Sequence, residues 1–189
     1  EEETPTDYKE PEGDVVIKDG TALIADNAFE YCYEITSVTM PDSVEYMGYN
    51  TFYSCDSLEE VVLSKNIKTI PMSAFEECYS LEKLELHEGI DVIEDYAFYG
   101  AGLEEITIPS SVTSIGKSAF RGGEKLTSIV IPASVETIGD YSFKNCKVLT
   151  SVIFEEGSAL KTIGKQAFED VGSLEDYIIP SKATSFGIG

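Results

Sequence analysis

The chain has 189 residues, of which 42% are hydrophobic and 25% are charged, as is typical of a folded domain. Its net charge of −22 repels phosphate backbones and anionic lipid headgroups, so nucleic acid is excluded as an expected partner. Membrane insertion is not expected either, because no stretch approaches about 18 consecutive apolar residues.

The N-terminal segment, residues 1–13, is acidic and contains Pro, which predicts a flexible leader before a single domain at 14–189. Residues 1–98 hold 24 Asp and Glu against five Lys, whereas residues 99–189 hold 11 against eight Lys and Arg. The acidic half would attract basic partners or cations, or it is a solvated face that keeps the protein soluble.

A Phe recurs along the chain at intervals of 22 to 25 residues, usually after Ala. The seven copies are Phe29, Phe52, Phe75, Phe98, Phe120, Phe143 and Phe168. Each is followed by an aliphatic residue, two apolar positions separated by one residue, and two further apolar sites. Before Phe29, Val16 and Ile24 fit the pattern loosely and predict a degenerate first turn.

Within each repeat, the alternation of apolar and polar residues predicts one short strand with one buried face. A single strand cannot bury its apolar residues alone, so the repeats must stack into a solenoid with a parallel sheet. With a strand spacing of about 4.8 Å, seven turns extend roughly 34 Å. The Ala-Phe segments predict short helical or 3₁₀ pieces on the opposite side.

The string I-P-x-S-V-x-x-I-G-x-x-A-F-x-x-C-x-x-L resembles the BspA-type leucine-rich repeat of bacterial surface proteins. IPSSVTSIGKSAF at 108–120 and IPASVETIGDYSF at 131–143 carry it almost completely, and the resemblance covers about residues 15–189. It implies an α/β leucine-rich-repeat right-handed solenoid, extracellular or displayed on a bacterial cell surface, with an adhesive or host-interaction role. It leaves the ligand open.

Four cysteines lie three residues after a repeat Phe: Cys32, Cys55, Cys78 and Cys146. Other repeats place Ala, Gly or Val there, which predicts small buried sites and free thiols. A disulfide is the weaker alternative, because Cβ atoms of stacked residues stay about 5 Å apart. A metal site is a weaker alternative still, because the sulfur atoms of this column lie along a line and do not converge on one point.

Evidence for catalysis is sparse, and we predict no enzymatic activity, no cofactor and no metal. The only histidine, His87, follows a strand in a turn and lacks the neighbouring nucleophile of a catalytic pair. Glu59, Glu82 and Glu104 share one column, which indicates solvated carboxylates or, as an alternative, a weak Ca²⁺ site.

The outward column of the strands is the predicted binding platform, because stacking gives it a continuous surface. It contains Thr39, Val62, Glu85, Thr107, Val130, Ile153 and Ile178, and its last three members form an apolar stripe. The apolar run at its end indicates a contact surface, unless the C-terminal tail covers it or the run reflects strand propensity.

Tyrosines cluster in the first three turns, at Tyr31, Tyr33, Tyr46, Tyr49, Tyr53 and Tyr79. They indicate either a contact surface or partial packing on the convex side. At the other end no cap follows the last repeat, so end-to-end homodimer contact is one expectation. The leading hypothesis is a module that binds a protein or glycan, and the alternative is a structural spacer within a larger surface protein.

Overall fold

The structure is a computed structural model that describes residues 10–173 and the backbone of two strands at 176–177 and 185–186. Its regular elements are all short parallel strands, and successive repeats stack into a solenoid of about seven turns. The predicted solenoid and parallel sheet are confirmed. Residues 1–9 lie outside the described part, and the division into a leader and a domain at 14 stays a prediction.

Seven strands come from the alternating segments of the repeats: β1 (Gly13–Val16), β3 (Ile35–Thr39), β5 (Glu60–Val62), β7 (Lys83–Leu84), β10 (Ser128–Ile131), β12 (Ser151–Phe154) and β14 (Asp176–Tyr177). Two parallel sheets result, β1-β3-β5-β7 and β10-β12-β14. The fourth repeat forms no strand at 104–108, so the continuous sheet expected from the sequence is interrupted there. This is the repeat that is one residue shorter than its neighbours.

A second set of two-residue strands forms at the last apolar site of each repeat: β2 (Leu23–Ile24), β4 (Tyr46–Met47), β6 (Thr69–Ile70), β8 (Val92–Ile93), β9 (Ser114–Ile115), β11 (Thr137–Ile138), β13 (Thr162–Ile163) and β15 (Ser185–Phe186). They pair as β2-β4 and as β6-β8-β9-β11-β13-β15. The sequence predicted buried residues at these sites but no second sheet.

The prediction of helical or 3₁₀ segments is wrong for the described residues, whose Ala-Phe stretches are hydrogen-bonded turns. Two residues of each stretch have positive φ, as in Ser73 at 54° and Glu77 at 60°, and a helix does not tolerate this. Within each stretch, every second backbone N–H then donates a hydrogen bond to a carbonyl oxygen of the next turn. The N–H of Phe75, for example, donates to the carbonyl oxygen of Ala97 at 2.8 Å.

The core consists of columns of equivalent residues that run along the solenoid. The Phe rings stack with centroid separations of 5.1 to 5.5 Å, and all but the terminal Phe29 and Phe168 are buried. The four cysteines are buried free thiols, as predicted. The thiol of Cys78 donates to the carbonyl oxygen of Phe52, the repeat Phe of the preceding turn, at 3.1 Å. The thiols of Cys55 and Cys146 likewise donate to the carbonyl oxygen of the repeat Phe of the turn before their own.

Candidate functional site

The outward strand column is a solvent-exposed surface, here called the strand face. Its described members are all exposed: Thr39, Val62, Glu85, Thr107, Val130 and Ile153. Val130 and Ile153 are 44% and 50% exposed, and they are register partners in β10 and β12. Ile178, the third residue of the predicted apolar stripe, lies outside the described residues.

The other two predicted residues of the strand face lie between its apolar parts. Glu85 follows β7, and Thr107 lies in the stretch of the fourth repeat that forms no strand. A second apolar part, which the sequence analysis did not single out, lies towards the N-terminus at Val62 and Val16, which are 47% and 75% exposed. Val62 belongs to the predicted outward column, so the repeat pattern already indicated that it is exposed.

A polar cleft of about 330 Å³ adjoins the N-terminal part of the strand face. The Ser37 hydroxyl donates to Asp14 Oδ1 at 2.7 Å, and Lys83 Nζ lies 3.3 Å from Glu60 Oε2. Glu59 and Glu82 also line this cleft and are exposed. Exposure favours solvated carboxylates over a calcium site, and no group of three His, Cys, Asp or Glu in the described residues is arranged to hold a metal ion.

His87 bridges two turns rather than facing a nucleophile. Its Nε2 lies 3.0 Å from the carbonyl oxygen of Ser64, and its Nδ1 lies 3.0 Å from that of Glu88. His87 therefore follows a strand at the start of a turn, as predicted, and its ring faces backbone oxygens. A neutral imidazole carries a single N–H, so it donates to one of these two carbonyl oxygens. Burial raises the pKa of the thiols of Cys55 and Cys146 to about 12, which disfavours the nucleophilic thiolate.

The tyrosines of the first three turns are about half exposed, which is compatible with a contact surface and with partial packing. Exposure is between 41% and 52% for five of the six: Tyr31, Tyr33, Tyr46, Tyr49 and Tyr79. Tyr46 and Tyr49 line a groove of about 340 Å³ beside the second sheet, together with Met72. Tyr31, Tyr33, Tyr53 and Tyr79 instead lie on the face formed by the Ala-Phe turns.

Cations over tyrosine rings are a feature of the later turns that the sequence analysis missed. Lys117 Nζ lies 5.5 Å from the ring centroid of Tyr96, and Lys144 Nζ lies 5.6 Å from that of Tyr141. The Arg121 guanidinium lies 5.8 Å from the Tyr99 centroid and 5.9 Å from the Tyr141 centroid. Alignment of the repeat columns would have placed Tyr99 and Arg121 at equivalent positions of adjacent turns.

We find no apolar helix of the length needed to cross a bilayer among the described residues. None of the curated proteins in the comparison matches the chain. A leucine-rich repeat protein of T. pallidum is 26% identical with a TM-score of 0.76, and the match covers 86% of this chain and 78% of that one.

A leucine-rich repeat protein of Bacteroides ovatus is 28% identical with a TM-score of 0.70 over 90% of this chain. The match covers 52% of the Bacteroides protein, so this chain spans about half of its length. The family model of the BspA type leucine rich repeat region matches in six copies, over residues 12–127 and 113–189. The chain therefore belongs to the BspA-type leucine-rich-repeat family, whose members are repeat modules for binding or for structure.

Proposed function

We propose that this protein is a non-enzymatic binding module, secreted or displayed on a bacterial cell surface, whose strand face binds a protein or glycan ligand. The observation that carries the proposal is the exposure of Val130 and Ile153 as neighbours on paired strands. Exposed apolar residues held on a rigid sheet are typical of contact surfaces. Glu85 and Thr107 supply polar groups beside them, and Ile178 continues the column in sequence.

A binding panel of extracellular-matrix proteins and glycans tests the function, using the whole chain immobilised through its N-terminus. Binding of one ligand by the native chain, lost in Val130→Lys and in Ile153→Lys, would support the strand face as its site. Val148→Lys is the matched control, because Val148 is 41% exposed but lies in a turn outside the strands. A ligand that binds all three variants equally would refute this site.

A spacer role is the second candidate, and the comparison with the Bacteroides protein favours it in one respect. This chain corresponds to about half of that protein, and a solenoid of this kind can separate other parts of a longer chain. A spacer would bind nothing in the panel, and strand-face substitutions would then change neither its stability nor any measured affinity.

A further inference from the structure

Four tyrosines lie on the side of the solenoid built by the Ala-Phe turns, and three of them are in ring contact. The rings of Tyr31 and Tyr53 meet edge to face with centroids 5.3 Å apart, and the Tyr33 ring lies 6.0 Å from that of Tyr31. Tyr79 lies one turn further and is 51% exposed. We call these four residues the tyrosine face, which is separate from the strand face.

The tyrosine face is surrounded by carboxylates and has no cation in its own segments. Residues 26–34, 49–57 and 72–80, which build it, contain six Asp and Glu but no Lys or Arg. Between Lys18 and Lys65 the sequence has no cationic residue at all. The aromatic rings therefore lie in a region of uncompensated negative charge.

Desolvation raises the pKa of three of these tyrosines, and the neighbouring carboxylates raise it further. Desolvation and the carboxylate of Glu77 raise the pKa of Tyr79 to about 12. The pKa of Tyr53 is raised by desolvation and then by Glu77 and Glu76. The pKa of Tyr33 is raised by desolvation and then by Asp56. Asp56, Glu76 and Glu77 are thus the carboxylates that act electrostatically on these rings.

In the later turns of the same molecule, tyrosine rings on this side are in contact with cations of the chain itself. Tyr53, Tyr99, Arg121 and Lys144 occupy the same repeat position, directly after the repeat Phe. From the fourth turn onward, the rings of Tyr96, Tyr99 and Tyr141 each have a Lys or Arg of this chain within 6 Å of the centroid. Those three tyrosines are only partly exposed.

An attractive contact between a cation and a ring face is expected at these distances, and Arg makes it more often than Lys. In the first three turns the rings and the negative charge are present, while the equivalent positions hold Glu30, Tyr53 and Glu76 instead of a cation. The surface is therefore complementary to a cation that this part of the chain does not supply.

We propose that the tyrosine face binds an Arg- or Lys-bearing segment of a partner protein. The guanidinium or ammonium groups of that segment contact Tyr31, Tyr53 and Tyr79 and pair with the neighbouring carboxylates. Arg121 and Lys144 mark the end of the surface, because their positive charge repels a cationic segment beyond the fourth turn. This site does not depend on a ligand at the strand face.

A short Arg-rich peptide with a fluorescent label is the probe, and the same peptide with citrulline in place of Arg is its neutral counterpart. Anisotropy titrations use the whole chain at about 0.15 M salt, where charges further apart than about 8 Å are screened. We expect the Arg peptide to bind and the citrulline peptide to bind at least about tenfold more weakly, as expected from lost cation–ring and ion-pair contacts.

General attraction to an acidic protein must be separated from the proposed site. The variant Tyr31→Ser with Tyr79→Ser removes two rings without a change in charge, and we expect about a fivefold loss of affinity. Tyr46→Ser with Tyr49→Ser is the matched control, because these tyrosines are similarly exposed in the same acidic half but lie beside the second sheet. We expect no loss from the control pair.

A second comparison leaves every ring in place. Asp56→Asn removes a carboxylate that acts on Tyr33 and Tyr79, whereas Asp91→Asn removes an exposed carboxylate of the same half elsewhere. Greater weakening by Asp56→Asn supports the site. The proposal would be overturned if the two tyrosine variants weakened peptide binding equally and the two Asp variants also did so. Equal binding of the Arg and citrulline peptides would overturn it as well, and would leave only non-specific attraction.

Discussion

At the scale of single residues, each buried Phe of the stacked column fills a core site that one substitution can empty. Phe98 is 1% exposed, and its ring centroid lies 5.5 Å from that of Phe75 and 5.2 Å from that of Phe120. We expect Phe98→Ala to lower the free energy of unfolding by about 3–5 kcal/mol, since each neighbouring ring is fixed by its own turn and cannot fill the cavity.

Chemical denaturation measures this effect. Val148→Ala, at an exposed position, is the control and should change the free energy of unfolding by less than about 0.5 kcal/mol. If Phe98→Ala were as mild as the control, the ring column would not be a principal source of stability.

The thiols permit a second prediction at this scale. Because burial raises the pKa of Cys55 and Cys146 to about 12, and raises that of Cys78 well above 9, almost no thiolate forms in the folded protein at pH 8. We expect a thiol-specific disulfide reagent to label the folded chain slowly and all four cysteines rapidly in denaturant. Cys32, in the first turn, should be labelled first.

The same shifts fix the direction of a pH effect on stability. The unfolded thiols ionise near pH 9, whereas the folded ones keep their protons to higher pH, so the unfolded state binds fewer protons in this range. The free energy of unfolding should therefore fall as pH rises from about 9 towards 12. Rapid labelling of all four cysteines in the folded protein at pH 8 would contradict the described burial.

At the scale of elements, the turn stretches contain conformational strain that glycine can relieve. Asp170 is exposed and has a φ of 54°, in the left-handed region. We expect Asp170→Gly to raise the free energy of unfolding by up to about 1 kcal/mol, because the Cβ penalty of this conformation disappears. Thermal unfolding monitored by circular dichroism measures it.

Lys147→Gly is the matched substitution at an exposed turn residue outside the positive-φ positions. It should lower the free energy of unfolding by about 0.5–1 kcal/mol, since only the entropy cost of glycine remains. A loss of stability in both variants would show that the left-handed conformation at Asp170 is not a source of strain.

The strands were predictable because each apolar position recurs in the sequence, whereas the turn stretches were not. Ser118 and Tyr141 adopt φ of 53° and 61°, although neither residue type favours the left-handed region. Hydrogen bonds to the next turn, such as Ser118 N–H to the Asp140 carbonyl oxygen at 2.8 Å, stabilise this conformation. Such contacts arise only after stacking, so local sequence favoured a helix instead.

The candidate surfaces were predictable to a similar extent. The repeat pattern alone identifies Val130 and Ile153 as outward residues, since they alternate with buried neighbours. The contacts of Arg121 with Tyr99 and Tyr141 join residues of three turns, and only the observed stacking defines them. The repeat columns of the sequence predict which side chains are exposed, but they do not predict which side chains are in contact with each other.

At the scale of the whole molecule, the net charge of −22 acts against the compact state through self-repulsion, and salt should relieve it. Residues 1–98 carry most of that charge, with 24 Asp and Glu against five Lys. Raising NaCl from about 0.01 M to about 1 M shortens the screening length from about 30 Å to about 3 Å. We expect the unfolding midpoint to rise over this range.

Charge variants separate screening from general effects of salt on hydrophobic burial. A variant with Glu45→Gln, Glu59→Gln and Glu82→Gln neutralises three exposed carboxylates, so its midpoint should be higher at low salt and depend less on NaCl. Lys125→Gln with Lys147→Gln should have the opposite effect, because it makes the net charge more negative. If all three proteins gained equally from salt, self-repulsion would not be the cause, and strengthened burial of the apolar columns would explain the gain.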